Sequence, residues 1–496
     1  LGFAVGESQE RWSHRSAFIL AAIGSAIGLG NIWRFPYVCY KYGGGAFLIP
    51  YLIALFTTGI PLMVLEFSLG HKMNAAAPTA FAKVKKKYEW IGWFALGVSF
   101  VITCYYAVIM GWATNFLKFS LTQEWGQTYA ETEKFFHGDF LGLSKSVGHF
   151  GSIKGWIVLV LVFCWIWILA SVWEGAKTVS KVVYATVLLP WAILIIFMIR
   201  GLTLPGAMEG LRYYLTPDFS ALLNLEVWAA AYTQAFFSLT LGFGVMIAYA
   251  SFLPRKTDLV NNAFIICLAD AATAFVSGIV VFSTLGFYAT QESKAVADVV
   301  ASGPGLAFVT YPAIINALPA PRLFGGLFFL MLLTLGIDSA FSLTEAVSAG
   351  ILDKWKLSRK KVNFSIASIA LVIGLVFCTG SGLYWLDIVD RFMNNFGLIV
   401  VALLECVVLG YFYNLEELRE YANRNSEIKV GRWWNFLIKI VTPLVLLVLL
   451  TYEIIDRIKG SYEGYPRWAE FVGGWLVLLL IGAVAVLMSR KKGSRD

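Results

Sequence analysis

Apolar residues fill this chain in runs of about twenty, cut by short polar connections, a pattern that predicts helices long enough to cross a bilayer. The runs lie near residues 15–40, 45–70, 90–119, 154–173, 178–200, 226–253, 259–290, 322–352, 362–379, 384–413, 435–457 and 467–489. Two of them are poorly suited to continuous helix. The first contains Gly24-Ser25-Ala26-Ile27-Gly28-Leu29-Gly30-Asn31 ahead of Trp33-Arg34-Phe35-Pro36, and the sixth contains Phe237-Ser238-Leu239-Thr240-Leu241-Gly242-Phe243-Gly244. In hydrocarbon every N–H and C=O freed by unwinding is costly, so a break survives only where it lines a cavity. Gly24 and Gly28 also have the G-x-x-x-G spacing of close helix packing. A packing face, however, has no use for Gly30, Asn31 and Arg34. The second break comes five helices after the first, the spacing of an inverted-repeat transporter that binds solute and cation near mid-membrane.

Composition narrows the class. Hydrophobic residues make up 58% of the chain, mean hydropathy is +0.71 and only 14% of residues are charged, values of a polytopic membrane protein. The net charge of +8 would suggest nucleic acid in a soluble protein. Here the basic residues fall in short connections, as an orientation signal: Lys72, Lys83, Lys85, Lys86 and Lys87; Lys354, Lys356, Arg359, Lys360 and Lys361; and Arg490, Lys491, Lys492 and Arg495. All three clusters read as cytoplasmic, which puts both termini inside and the connections 120–153 and 291–321 outside. Trp125, Tyr129 and Phe140 would lay the first of these loops against the membrane surface. No cleavable signal pattern precedes Arg11, His14 and Arg15. The six cysteines are scattered and the four histidines lack metal spacing, so neither metalloenzyme chemistry nor a disulfide framework is expected. Short tails and a compact outer loop suggest a prokaryotic inner (plasma) membrane.

Two acids interrupt apolar runs: Asp270 in the seventh and Asp338, within Leu335-Gly336-Ile337-Asp338-Ser339, in the eighth. Each could simply pair with a neighbouring helix. Two buried carboxylates beside small and hydroxyl residues point instead to a pair of sites for a hard cation such as sodium. A sodium channel would favour rings of repeated acidic residues, which are missing. A membrane enzyme would need an activated nucleophile, and neither His71 nor any cysteine has such company. A sensor that binds solute without moving it is the alternative on the same fold.

At Gly28-Leu29-Gly30-Asn31 with Trp33-Arg34-Phe35-Pro36 the chain resembles the neurotransmitter:sodium symporter family. The likeness continues through Gly43-Gly44-Gly45-Ala46-Phe47, Ile60-Pro61-Leu62 with Glu66, and Lys181-Val182-Val183-Tyr184. It extends to Arg200-Gly201-Leu202-Thr203-Leu204-Pro205-Gly206-Ala207 and Tyr213-Tyr214-Leu215-Thr216-Pro217-Asp218. The resemblance implies an all-α polytopic protein of about twelve transmembrane helices, with a LeuT-type 5+5 inverted repeat and broken helices 1 and 6. Residues 1–200 would form the first repeat, 201–415 the second, and 416–496 helices 11 and 12 with the tail.

The same resemblance implies a ligand set. A first sodium site would use the Ala26 carbonyl, Asn31, Ser238, Asp270 and the substrate carboxylate. A second would use carbonyls of Gly24, Ile27 and Leu335 with the side chains of Asp338 and Ser339. The substrate carboxylate would meet N–H groups around Gly28, Leu29 and Gly30 and the Tyr106 hydroxyl, at a helix start whose dipole favours anions. Related monoamine carriers have an aspartate at the Ser25 position. Its absence here suggests a cargo that brings its own carboxylate, an amino acid. The side-chain pocket would be Ile102, Phe237, Thr240, Phe243 and Leu343, with Tyr106 and Phe237 stacked as a lid, a lining that favours neutral, aliphatic side chains.

Gates follow by the same likeness. Arg34 and Asp390 would pair above the site, and Asp353 would hold the cytoplasmic closure near Trp12. The family's usual arginine three residues before that tryptophan is Gln9 here, so either Arg11 takes over the pairing or the inner gate is weaker. Chloride-dependent relatives have asparagine at the Asp270 position and serine at the Ala274 position. A fixed carboxylate can do the work of the bound anion, so chloride independence is expected. Two sodium ions, each entering down a tenfold gradient and 100 mV, would supply about 7 kcal/mol for alternating access. Oligomeric state is not legible.

Overall fold

A computed structural model describes residues 11–301 and 303–493; Gln9 and Arg495 lie outside the described residues. The described chain is helical, with a single isolated β-bridge between Gly44 and Pro217. Among the described residues nine helices are long and apolar enough to cross a membrane: α2 (Gly45–Met73), α3 (Lys86–Thr122), α5 (Ala176–Leu202), α7 (Leu259–Gln291), α8 (Pro321–Lys354), α9 (Arg359–Phe377), α10 (Gly382–Phe412), α11 (Arg432–Gly464) and α12 (Arg467–Arg490). A bent pair, Arg15–Ala26 and Leu29–Lys41, makes α1, and the shorter apolar helix Gly155–Ser171 makes α4. Helices Leu225–Ser238 and Val245–Ser251 together make α6. These twelve match the apolar runs to within a few residues.

Proline accounts for local distortions that hydropathy does not register. Pro61 has no N–H to give the Thr57 carbonyl, and α2 widens to a π-turn over Leu55–Gly59 just before it. The Thr442 hydroxyl of α11 reaches that carbonyl at 3.5 Å. The two glycine- and tyrosine-containing motifs at 43–47 and 213–218 also meet. Asp218 N–H donates to the Gly43 carbonyl at 3.0 Å, and a Cβ at Gly44, whose φ is +58°, would come within 2.6 Å of the Thr216 carbonyl. The helix Ala207–Leu215 is thereby held to the outer end of α1 and the start of α2.

The outer loop 120–153 departs from expectation. Trp125 and Phe140 are buried, and Trp125 stacks on Phe116 of α3 at 6.0 Å and meets Phe329 of α8 at 5.8 Å. Its aromatics therefore pack onto the protein rather than the membrane surface, because α3 and α8 offer a wall of phenylalanine at that level. The Asn316 amide cross-ties the loop to the 291–321 connection by donating to the Gly126 carbonyl at 2.8 Å. All six cysteines are buried and free.

Candidate functional site

The backbone itself builds the site. The first half of α1 stops at Ala26, the second starts at Leu29, and the two axes differ by 51°. Between them Ile27 and Gly28 are extended. In α6 the break runs from Leu239 to Gly244, with Thr240 at φ +55°, Gly242 at +79° and Gly244 at +73°. Glycine takes that conformation freely, whereas a β-branched residue there is strained. Thr240 is held by its own side chain, whose hydroxyl donates to the Ser25 carbonyl at 2.8 Å. The breaks in α1 and α6 are thus bonded to each other. A buried carboxylate also supports the second one, since Glu66 Oε1 accepts from the Gly242 N–H at 2.8 Å.

Asn31, Ser238 and Asp270 come together beside these breaks. The Asn31 amide donates to Asp270 Oδ1 at 2.8 Å and to the Ser238 hydroxyl at 3.2 Å, and that hydroxyl donates to Asp270 Oδ1 at 2.8 Å. Asn31 Oδ1 accepts from the Gly28 N–H at 3.0 Å and keeps one lone pair. Asp270 Oδ2, fully buried, has no donor among the described residues. A carboxylate oxygen left that way is costly unless something positive faces it. Ala26, whose carbonyl belongs to the expected set, lines a cavity together with Asn31 and Ser238.

Asp338 repeats the arrangement on the other side of α1. Its Oδ1 accepts from the Thr186 hydroxyl of α5 at 2.5 Å, while its buried Oδ2 has no donor. A Cβ at Gly24 would fall 2.8 Å from that Oδ2 and 2.7 Å from Val187, so only glycine lets α1 approach this closely. Leu335 is buried one turn before Asp338 on α8, and Ile27 lies at the α1 break. Ser339 Oγ would be 3.1 Å from a Cβ at Gly28, as would the Tyr106 hydroxyl. Each carboxylate therefore has one satisfied and one bare oxygen. Hydroxyls and main-chain carbonyls near them are the hard ligands an alkali cation takes.

A cavity of about 820 Å³ starts between the breaks and extends to Lys41, Asp456 and Glu463 on the face bearing the 120–153 loop. Its inner end is lined by Ser25, Gly28, Leu29, Gly30, Ile102, Tyr106, Phe237, Ser238, Thr240, Phe243, Ser339 and Leu343. The Leu29 N–H donates to the Tyr106 hydroxyl at 3.3 Å, so the helix start and that phenol share one point. Ser342, absent from the expected set, also lines it. Its hydroxyl is 2.8 Å from that of Ser25 and donates to the Ser339 carbonyl at 2.8 Å. Thr186 is likewise absent from the expected set. The sequence signal for it is a hydroxyl four residues before Pro190 in an apolar span, and for Ser342 a hydroxyl one helical turn from Ser339.

The expected pair of Arg34 and Asp390 is not formed. Arg34 lies over the Phe237 ring at 5.0 Å and forms no ion pair with a described residue, while Asp390 accepts from the Tyr105 hydroxyl at 2.7 Å and from Asn394 at 2.9 Å. Nor is Phe237 stacked on Tyr106; its aromatic neighbour is Phe243 at 6.4 Å. The cavity passes between these side chains, which is why neither expected contact forms. The opposite face is shut. Trp12 is buried, its indole donates to the Tyr249 carbonyl at 2.9 Å, and its own N–H donates to the Phe252 carbonyl at 3.3 Å. Asp353 accepts from the Ala76 N–H at 2.6 Å. Arg11 is exposed and forms no ion pair with a described residue, so the Trp12 anchor and not an Arg11 bridge ties down the start of α1.

Comparison with known proteins bears on this geometry. A sequence model of the sodium:neurotransmitter symporter family matches residues 9–131 and 122–494. An uncharacterized sodium-dependent transporter of Methanocaldococcus jannaschii is 41% identical over 489 residues, 98% of each chain. A sodium- and chloride-dependent taurine transporter of Homo sapiens is 33% identical over 511 residues, 95% of this chain and 82% of its own. A sodium-dependent dopamine transporter of Caenorhabditis elegans is 32% identical over 526 residues, 96% and 85% respectively.

Proposed function

Because the chain belongs to the sodium:neurotransmitter symporter family, we propose that it imports a neutral, aliphatic or otherwise hydrophobic amino acid together with two sodium ions, independently of chloride. One observation carries this reading: Asp270, bonded to Asn31 and Ser238 beside the helix breaks, keeps a buried carboxylate oxygen that has no donor among the described residues. The first ion would lie among Ala26, Asn31, Ser238, Asp270 and the substrate carboxylate, and the second among Gly24, Ile27, Leu335, Asp338 and Ser339.

The lining supports an amino acid with an uncharged side chain. Ile102, Phe243 and Leu343 are apolar, Thr240 spends its hydroxyl on Ser25, and no acid stands at position 25 to meet a free amine. A charged side chain would be buried there without a partner. The cargo's carboxylate would sit at the Leu29 helix start beside Tyr106 and complete the first ion's shell, so substrate and sodium would bind cooperatively. Chloride independence rests on Asp270 supplying the negative charge, with a buried alanine at 274.

The open outer cavity and the anchored Trp12 fit an outward-facing stage of alternating access. Filling the site would draw Phe237 and Arg34 inward toward Tyr106 and Asp390, after which the inner half of α1 would leave Tyr249 and Phe252. Residues 1–200 and 201–415 would act as the two repeats, with both termini cytoplasmic. Uptake of one labelled amino acid into proteoliposomes, with sodium or potassium outside and chloride or gluconate as anion, tests the reading. Sodium-dependent accumulation that competing aliphatic amino acids suppress and gluconate leaves unchanged is expected. Accumulation without sodium, or its collapse in gluconate, would reject the corresponding part.

A further inference from the structure

A second, smaller cavity of about 100 Å³ lies at the face that carries Lys72 and Lys83, and it shares no lining residue with the first. Three separate segments wall it. His71 comes from the last turn of α2, Arg255, Thr257 and Leu259 from the connection between α6 and α7, and Tyr421, Arg424 and Asn425 from the helix Leu415–Asn423 and the turn after it. The wall is already bonded into one piece. His71 Nε2 donates to the Pro254 carbonyl at 2.8 Å, so Nδ1 accepts from the Tyr421 hydroxyl at 2.9 Å. The Asn425 amide donates to the Arg255 carbonyl at 3.2 Å.

What this cavity lacks is a counter-charge. Two guanidiniums line it, and neither forms an ion pair among the described residues; Arg424 only covers the Tyr421 ring at 5.6 Å. Of the acids close in sequence, Glu420 and Glu427 are exposed, and the other two are engaged elsewhere. Asp258 accepts from the Asn261 N–H at 2.9 Å and the Glu427 N–H at 2.8 Å, and Glu417 pairs with Lys72 at 2.5 Å. The Thr257 hydroxyl donates to the Pro254 carbonyl at 2.6 Å and the Tyr421 phenol to His71, so the donors left for a ligand are the two planar forks and the second Asn425 N–H, a set around a space of this size that suits a tetrahedral oxyanion, which arginine binds bidentately.

We propose that Arg255, Arg424 and Asn425, set in a wall framed by His71, Thr257 and Tyr421, form a binding site for a phosphate-type oxyanion, offered either by an anionic lipid headgroup or by free phosphate. Bound there, it would join the helix Leu415–Asn423 to the connection that leaves α6. That connection begins at Phe252, which with Tyr249 anchors Trp12, so the anion would stiffen the closed inner face. The inference does not depend on which solute the main cavity takes.

The test uses the whole protein in phosphatidylcholine nanodiscs, with thermal unfolding as readout. One arm adds phosphatidylglycerol to the bilayer. The other adds sodium phosphate against sodium chloride at equal ionic strength. A rise in melting temperature in the lipid arm alone assigns a headgroup, and a rise in the phosphate arm assigns the free ion. The Arg255→Gln/Arg424→Gln double variant should lose the rise, and Lys256→Gln, beside the site but not lining it, should keep it. No rise in either arm, or equal loss in Lys256→Gln, overturns the proposal. Should the double variant fold poorly, hydrogen exchange of wild-type residues 254–259 and 421–425 decides: protection by the anion is expected, and unchanged exchange overturns it.

Discussion

The Thr240 hydroxyl donates to the Ser25 carbonyl at 2.8 Å, one bond that closes both helix breaks against each other. The carbonyl is free because α1 stops one residue later, and the hydroxyl points there because Thr240 adopts φ +55°. Thr240→Val keeps the branched shape and the backbone strain and removes only the donor. A buried carbonyl left unpaired costs about 1–3 kcal/mol. The variant should melt several degrees lower and bind substrate about tenfold or more weakly, as scintillation proximity binding would measure. Thr240→Gly relieves the strain but lacks the bond, so it should recover part of the melting temperature and little of the affinity.

Gly24 lies under Asp338 with no room to spare. A methyl group there would sit 2.7 Å from Val187 and 2.8 Å from Asp338 Oδ2. Overpacking of this kind costs about 1–3 kcal/mol, and the movable party is the carboxylate. Gly24→Ala should raise the sodium concentration for half-maximal uptake by about tenfold, corresponding to about 1.4 kcal/mol, while the protein still purifies as a folded species. Adding Val187→Ala relieves one of the two contacts and should restore the sodium response in part. An unchanged sodium curve in Gly24→Ala would remove Asp338 from the second ion site.

Legibility in the sequence differs between the fold and the site. Twelve apolar runs and both breaks are visible because glycine and polar residues are too costly in hydrocarbon to stand in a span that does not line a cavity or a close helix contact. The polar residues of the site are visible only where a motif carries them: Asn31 sits in a glycine-rich stretch, whereas Thr186 and Ser342 are single hydroxyls in long spans, where backbonding to the preceding turn is the ordinary use of a threonine or serine. Arg34 and Asp390 suggest a closed gate because sequence records which residues can meet, not which stage of a cycle is populated. Trp125 and Phe140 mislead for a related reason. Aromatics at the end of a span suit the membrane interface and a protein core equally well, and only the phenylalanines of α3 and α8 decide between them.

Asp270 permits a sharper ion test than its loss alone. Asp270→Asn keeps the shape and a hydrogen-bonding group beside Asn31 and Ser238 but removes the charge. Sodium-driven uptake should fall by about tenfold or more, since a charge-assisted bond contributes about 1.5–3 kcal/mol. Combined with Ala274→Ser, uptake should return in chloride and stay low in gluconate. If the double variant is equally inactive in both anions, the carboxylate is not substituting for a mobile anion.

Trp12 holds the inner face through its indole on Tyr249, its N–H on Phe252 and edge contacts to Phe18 and Tyr249 at 6.0 and 5.1 Å. Among the described residues no ion pair from Arg11 backs it up. Trp12→Ala should therefore release the inner half of α1, since deleting a buried tryptophan costs about 3–5 kcal/mol, and that cost falls on the closed arrangement alone. A cysteine placed at Ala22, fully buried in that half-helix, reports the opening by its rate of thiol labelling. The background is low because all six native cysteines are buried. Labelling should rise at least about tenfold in Trp12→Ala and fall again when sodium is added, because an ion bound at the proposed second site, between Gly24 and Asp338, would hold α1 against α8. Arg11→Gln should label as slowly as the parent. Fast labelling in Arg11→Gln and slow labelling in Trp12→Ala would give the closure to the charge and not to the indole.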